Sequence, residues 1–151
     1  MNHSRSVRFY VMLAVLLVLL TAGTTSLVYF RMHEKSYLSY PNSPFTVLNS
    51  PVRRGAAVRL FVIRCNSDNY RHDYEVTHRL ISLTDPALIP FIMPSYKVSL
   101  EPGCHASESG INEIPGDRSR GWYYIEGTGV TQGRTQTFEV PWRSDPFEVT
   151  E

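Results

Sequence analysis

The sequence predicts an all-β domain of about seven strands behind one N-terminal transmembrane helix. Three observations carry this. A run of 22 residues, Phe9 to Phe30, holds no charge. Beyond it, short stretches of period-two hydrophobicity alternate with Pro, Gly and Asn turns. After residue 31, Pro and Gly interrupt too often for a helical period to persist. The bulk figures agree. A length of 151 residues suits one domain of ordinary size. With 12% aromatic and 19% charged residues the chain is too apolar to be disordered. With a net charge of +1, bulk electrostatics do not point to a nucleic-acid partner, and none is expected.

The uncharged run comes first. At 1.5 Å per residue it forms a helix roughly 33 Å long, enough to cross a hydrocarbon core of about 30 Å. Phe9 and Tyr10 at one end, and Tyr29 and Phe30 at the other, are the aromatic belts of a spanning helix. The alternative is a signal peptide with its apolar region at Val11 to Leu20 and small residues at Thr21-Ala22-Gly23. The apolar run resumes at Leu27 to Phe30, which favours an uncleaved anchor. The expected plan is a cytoplasmic tail (1–8), a signal-anchor helix (9–30), a juxtamembrane linker (31–44) and a β domain (45–151). Arg5 and Arg8 before the helix nearly balance Arg31 and Lys35 after it. A short tail is easier to leave inside than a domain, so the N-terminus is expected in the cytoplasm of a bacterial inner-membrane protein. The domain is then periplasmic or extracellular. Ala22-x-x-x-Ser26 is a small-residue spacing that lets two helices approach, so a homodimer through the helix is an alternative to a lone span.

The strands follow in order: Phe45 to Leu48, Ala56 to Cys65, Asp73 to Leu83, Ala87 to Met93 interrupted by Pro90, Tyr96 to Leu100, Cys104 to Ser109, Trp122 to Val130, Thr135 to Trp142, and Phe147 to Thr150. Val58, Leu60 and Val62 share one face, as do Tyr74, Val76, His78 and Leu80. The same alternation puts Tyr123 and Ile125 inside. From residue 45 onward there are 13 acidic and 11 basic side chains, a net of −2.

Cys65 ends one strand and Cys104 follows a Pro-Gly turn. A disulfide between them closes a loop of about 40 residues, worth roughly 4 kcal/mol by loop-closure entropy. It fits a domain outside the cytoplasm. The competing reading is a pair of free thiols, with Cys104-His105 as the corner of a thiol-dependent enzyme. His72, His78, His105 and Cys104 match no metal-ligand spacing, and are read as surface or edge side chains with no metal or cofactor. Arg53, Arg54, Arg59, Arg64, Arg71 and Arg79 are read as an ordinary mixed surface, because acids are interspersed from Asp68 onward. No phosphate loop, nucleophile elbow or zinc-protease motif occurs, so no enzyme is expected. Trp122, Tyr124 and Trp142 are read as exposed aromatics on adjacent strands, a binding face for a protein partner, with the second face of the core as the alternative. The domain has no N-glycosylation sequon; the one in the chain is Asn2-His3-Ser4.

Gly121-Trp122-Tyr123, preceded by Pro115-Gly116-Asp117, resembles the corner of Ig-like domains, where a tyrosine hydroxyl bonds back to the turn before it. The fold is therefore expected to be an Ig-like β-sandwich. The whole plan resembles small single-pass membrane proteins with a C-terminal β domain encoded by bacteriophages and prophages. The residues behind this likeness are the span Phe9 to Phe30, the strand Gly55 to Cys65, the turn Pro102-Gly103-Cys104 and the tract Gly121 to Gly127. That class has no established activity, so the resemblance implies a phage context and no site residues. The expected function is a non-enzymatic, membrane-tethered binding or structural module. The alternative is a virion component packed against capsid or tail proteins.

If the anchor is uncleaved, alkaline carbonate extraction leaves the protein in the membrane pellet, and intact mass retains residues 1–30. A soluble product beginning near residue 23 overturns the anchor.

Overall fold

This computed structural model describes residues 3–151. Contacts divide the chain into two units, residues up to 35 with 134–136, and residues 36–133 with 137–151.

The first unit is helix α1 (His3–His33). Within its stretch Phe9–His33 an 18-residue window reaches a mean hydropathy of 2.3, and the helix is long and apolar enough to cross a membrane. Its three threonine hydroxyls bond within the helix. The hydroxyls of Thr21, Thr24 and Thr25 donate to the carbonyls of Leu17 (3.0 Å), Leu20 (3.0 Å) and Thr21 (2.7 Å). A hydroxyl bonded within its own helix makes no demand on water, which suits a hydrocarbon surrounding. The tail expected over 1–8 is already helical from His3, while Met1 and Asn2 lie outside the described residues. Just past the helix, the Glu34 carboxylate accepts from the Arg134 and Thr135 amides and from the Thr135 hydroxyl (2.5 Å). The Thr135 hydroxyl, with both amides, holds the Glu34 carboxyl below its ordinary value.

The second unit is all-β. Its strands are β1 (Leu38–Ser39), β2 (Thr46–Val47), β3 (Val52–Arg53), β4 (Ala57–Asn66), β5 (His72–Ser82), β6 (Phe91–Leu100), β7 (Gly103–Glu113), β8 (Gly121–Gln132), β9 (Thr137–Arg143) and β10 (Phe147–Thr150). In the smaller sheet β7 pairs along one edge of β4, and β1 and β2 share the other. In the larger sheet β8 is the hub. β5 runs along one edge, while β10 and β9 divide the other between them. β6 extends the sheet beyond β5, and β3 joins β10 in parallel through Val52↔Val149. All other strand pairs are antiparallel.

The alternation read from the sequence decides which faces are buried. Val58, Leu60 and Val62 of β4, Tyr74, Val76 and Leu80 of β5, and Tyr123 and Ile125 of β8 all lie inside, in one cluster drawn from both sheets. Phe147 and Val149 of β10 belong to it as well.

Four expectations need correction. The seven strands are ten, with β1 and β3, of two residues each, too short to show a period. The linker expected over 31–44 is not free throughout. Leu38 is buried in the core, and β1 pairs with the end of β4. The two pieces at 87–93 and 96–100 are one strand, β6, that tolerates its proline through a bulge. Val76 pairs with Tyr96 and His78 with Met93, so Pro94 and Ser95 together face Thr77. A bulge on an edge strand is where a missing N–H costs least. Finally, His78 is a core residue, 4% exposed, not a surface one.

Gly127 makes room for this core. A Cβ there would lie 2.3 Å from the Thr77 carbonyl oxygen and 2.5 Å from the Trp142 ring. Gly127→Ala should therefore destabilise the domain by about 1–3 kcal/mol, the usual cost of overpacking. Gly116→Ala, with open space at its Cβ, is the control. Urea unfolding followed by tryptophan fluorescence measures both, and equal midpoints would refute the packing argument.

Candidate binding face

The outer face of the larger sheet is built by the positions that alternate with its core. On β8 these are Trp122, Tyr124 and Glu126. Cross-strand register sets their neighbours. Ile81 pairs with Tyr124, and the Leu83 amide donates to the Trp122 carbonyl at 2.7 Å. The Trp122 amide in turn donates to the Thr84 hydroxyl at 2.7 Å, which fixes this end of β8. Trp122 is 51% exposed, Leu83 48% and Ile92 79%. Tyr124 and Ile81 are half-buried. Beside them Arg79 donates from Nε to Glu126 at 2.7 Å, directly across the strand pair. A hollow of about 430 Å³ lies along Arg79, Glu126 and Ile92.

Trp142 does not share this face. It lies across from Gly127, so its side chain points with the core and is 5% exposed. Its ring stacks on Phe45 with centroids 5.0 Å apart, and Tyr40 meets Phe45 edge-on. The physical reason is the missing side chain at Gly127, which leaves a slot only the large ring fills. Of the three aromatics read as one face, Trp122 and Tyr124 are together outside and Trp142 is inside.

Tyr123 reports on the corner before β8. Its hydroxyl donates to the Ser119 carbonyl at 2.8 Å and lies 3.1 Å from the Ser119 hydroxyl. This is the back-bond that the Gly121-Trp122-Tyr123 pattern leads one to expect.

Cys65 and Cys104 form a disulfide between directly paired residues of β4 and β7, with Cα atoms 4.0 Å apart. No free cysteine remains. The histidines are scattered. His72 bonds Asp68 at 2.8 Å and stacks under Tyr37, and His105 contacts the Pro102 carbonyl at 3.1 Å. Among the described residues no three His, Cys, Asp or Glu side chains come together as metal ligands. The arginine stretch is mostly paired. Arg59 meets Glu108, Arg71 meets Glu101 (3.4 Å), Arg79 meets Glu126 and Arg54 reaches Glu151 (3.6 Å). That is the mixed surface the interspersed acids imply.

Sequence reading missed the polar groups that lie buried beside Trp142. Neither His78 ring nitrogen nor Trp142 Nε1 has a hydrogen-bond partner among the described residues. Desolvation by burial lowers the His78 pKa. Burial raises the phenols of Tyr40 and Tyr74. An even-numbered position in an apolar period-two strand was the signal for His78, and its residue type concealed it.

No protein-family model matches the chain, and no curated protein matches it in sequence. Solved structures give distant likenesses. One is the C-terminal domain of Wzt (TM-score 0.46, 11% identity, 78% of this chain and 75% of that one). Another is the Pseudomonas fluorescens alkylpurine DNA glycosylase AlkC, bound to DNA containing an abasic-site analogue (TM-score 0.44, 12% identity, 78% of this chain and 32% of that one). A third is a β-glucosidase from Kluyveromyces marxianus (TM-score 0.41, 14% identity, 78% of this chain and 16% of that one). The chain spans about a third and a sixth of the last two. None of these likenesses transfers a function.

Two outcomes follow. Trp142→Ala should cost about 3–5 kcal/mol, as for a buried large aromatic, whereas Trp122→Ala should stay within about 0.5 kcal/mol. Similar losses for both would refute the two placements. The His78 pKa is lowered in the folded state, so its contribution is complete above its ordinary value of 6.5 and is lost as pH falls below that. Urea midpoints should drop from pH 7.5 to 5.5, and His78→Phe should flatten that slope. An unchanged slope in the variant refutes the assignment.

Proposed function

We propose that this protein is a non-enzymatic, membrane-tethered binding module. In this reading α1 is an uncleaved signal-anchor in a bacterial inner membrane, and the β domain is an Ig-like sandwich outside the cytoplasm. The gene is carried by a phage or prophage, the context implied by the plan of a span followed by a β domain. The two sheets with one core, and the Tyr123 back-bond to Ser119, support the Ig-like assignment. The apolar helix supports tethering, and the disulfide supports an oxidising compartment.

One observation carries the binding role. Trp122, Tyr124, Ile81, Leu83 and Ile92 form an aromatic and aliphatic strip on the solvent side of a sheet whose other side is core. Large apolar side chains left together on a surface, with a charged pair at their margin, are the anatomy of a protein contact. The mechanism is tethering. The helix holds the domain at the bilayer, and the strip takes the partner.

A photo-crosslinking residue in place of Trp122, in native membranes, should give a discrete covalent product. The same residue at Asp117, outside the strip, should not. Adding Tyr124→Ser should reduce the product severalfold without altering the unfolding midpoint. Equal crosslinking from both positions would remove the strip as the binding face. Recovery of the protein in purified phage particles would assign the partner to the virion.

A further inference from the structure

We propose that Cys65–Cys104 is a site of thiol–disulfide exchange in the folded protein. A dithiol oxidoreductase of the thioredoxin class opens it at Cys104, and opening frees the outer half of β7 from β4. This goes beyond the binding reading and does not depend on it.

The core holds little of β7. Between Gly103 and Gly110 every residue is exposed except the half-buried Ser109. The first fully buried side chain of the strand is Ile111, 3% exposed. The paired positions on β4 are Val62 opposite Ser107 and Leu60 opposite Ser109. Hydroxyls thus stand where a core strand would carry aliphatics. Among the described residues β7 has one strand neighbour, β4, and no strand pairs with its other edge. Besides the backbone ladder, the outer half is tied by Arg64 Nη1 donating to Ser107 (2.7 Å), the Arg59–Glu108 pair, and the disulfide. Both non-covalent ties are exposed side-chain contacts of modest worth. The disulfide is thus a staple on a strand end that hydrophobic burial leaves unsecured.

The staple is also reachable. Cys104 is exposed on the edge strand, whereas Cys65 is half-buried between β7 and β1. Exposed disulfides are the ones open to exchange, and access decides which sulfur is attacked. A thiolate of the dithiol attacks Sγ of Cys104, and the Cys65 sulfur leaves as a thiolate and takes up a proton. The second thiol of the dithiol, as its thiolate, then attacks its own partner in the mixed disulfide and releases Cys104. The protein gains two electrons and two protons, and the dithiol becomes a disulfide. Reduction unfastens residues 103–109 and bares the β4 edge, while Ile111 and the buried Ile114 keep the rest of the connection in place.

The test uses the full chain in detergent micelles and a thioredoxin whose resolving cysteine is replaced by serine. The expected product is a mixed disulfide mapped to Cys104, formed at a rate that urea below the unfolding transition leaves unchanged. After complete reduction by intact thioredoxin, amide exchange over 103–109 and 60–66 should quicken by about tenfold or more, with β5 and β8 unaltered. An adduct on Cys65, a rate that climbs with urea, or loss of protection across the whole domain would overturn the proposal. So would a disulfide that resists thioredoxin until the chain is denatured.

Discussion

The contact on which the domain most depends is the face of Trp142 laid against the bare backbone of Gly127. The same ring stacks on Phe45, which forms its own bridge to Ser144 in parallel, and Tyr40 closes the cluster edge-on. Gly129, two residues along β8, repeats the device. A Cβ there would lie 2.5 Å from both Leu38 and the Tyr40 hydroxyl. One strand with two missing side chains therefore receives the segment that arrives from the helix. This is why residues 36–44 are part of the domain rather than a slack tether. The price is a set of buried nitrogens, on Trp142 and His78, that burial leaves unpartnered.

Much of the fold was legible because it obeys the simplest rule of strands. The alternations at Val58-Leu60-Val62, Tyr74-Val76-Leu80 and Tyr123-Ile125 all point inward as their parity requires. The cysteine pairing was legible because each residue sat at the end of a strand next to a turn. The Tyr123 hydroxyl returns to Ser119 as the preceding glycine and aspartate lead one to expect.

What escaped is equally physical. Trp142 looked like a partner for Trp122 and Tyr124 because aromatic character says nothing of facing, and the slot at Gly127 exists only once β8 and β9 are paired. The prolines near β6 read as a break, but the bulge at Pro94 and Ser95 needs a neighbouring strand to define it. Strands of two residues carry no period, so β1 and β3 could be found only through their partners, whereas β2 lies within the stretch Phe45 to Leu48 read as a strand. The strip around Trp122 was half visible. Its aromatic members were named from the sequence, whereas Leu83 and Ile92 join it through register.

The parallel pairing of β3 with β10 has a mechanical meaning. Val52 and Val149 are fully or almost fully buried and lie 97 positions apart in the chain, yet their strands run side by side in the same direction. Tension applied between the chain entering β3 and the far end of β10 pulls these strands in opposite senses along their length. Their bonds and the packing of both valines are then loaded together, in shear, and not peeled one at a time. Under such a load the two strands part only when the whole clasp yields at once.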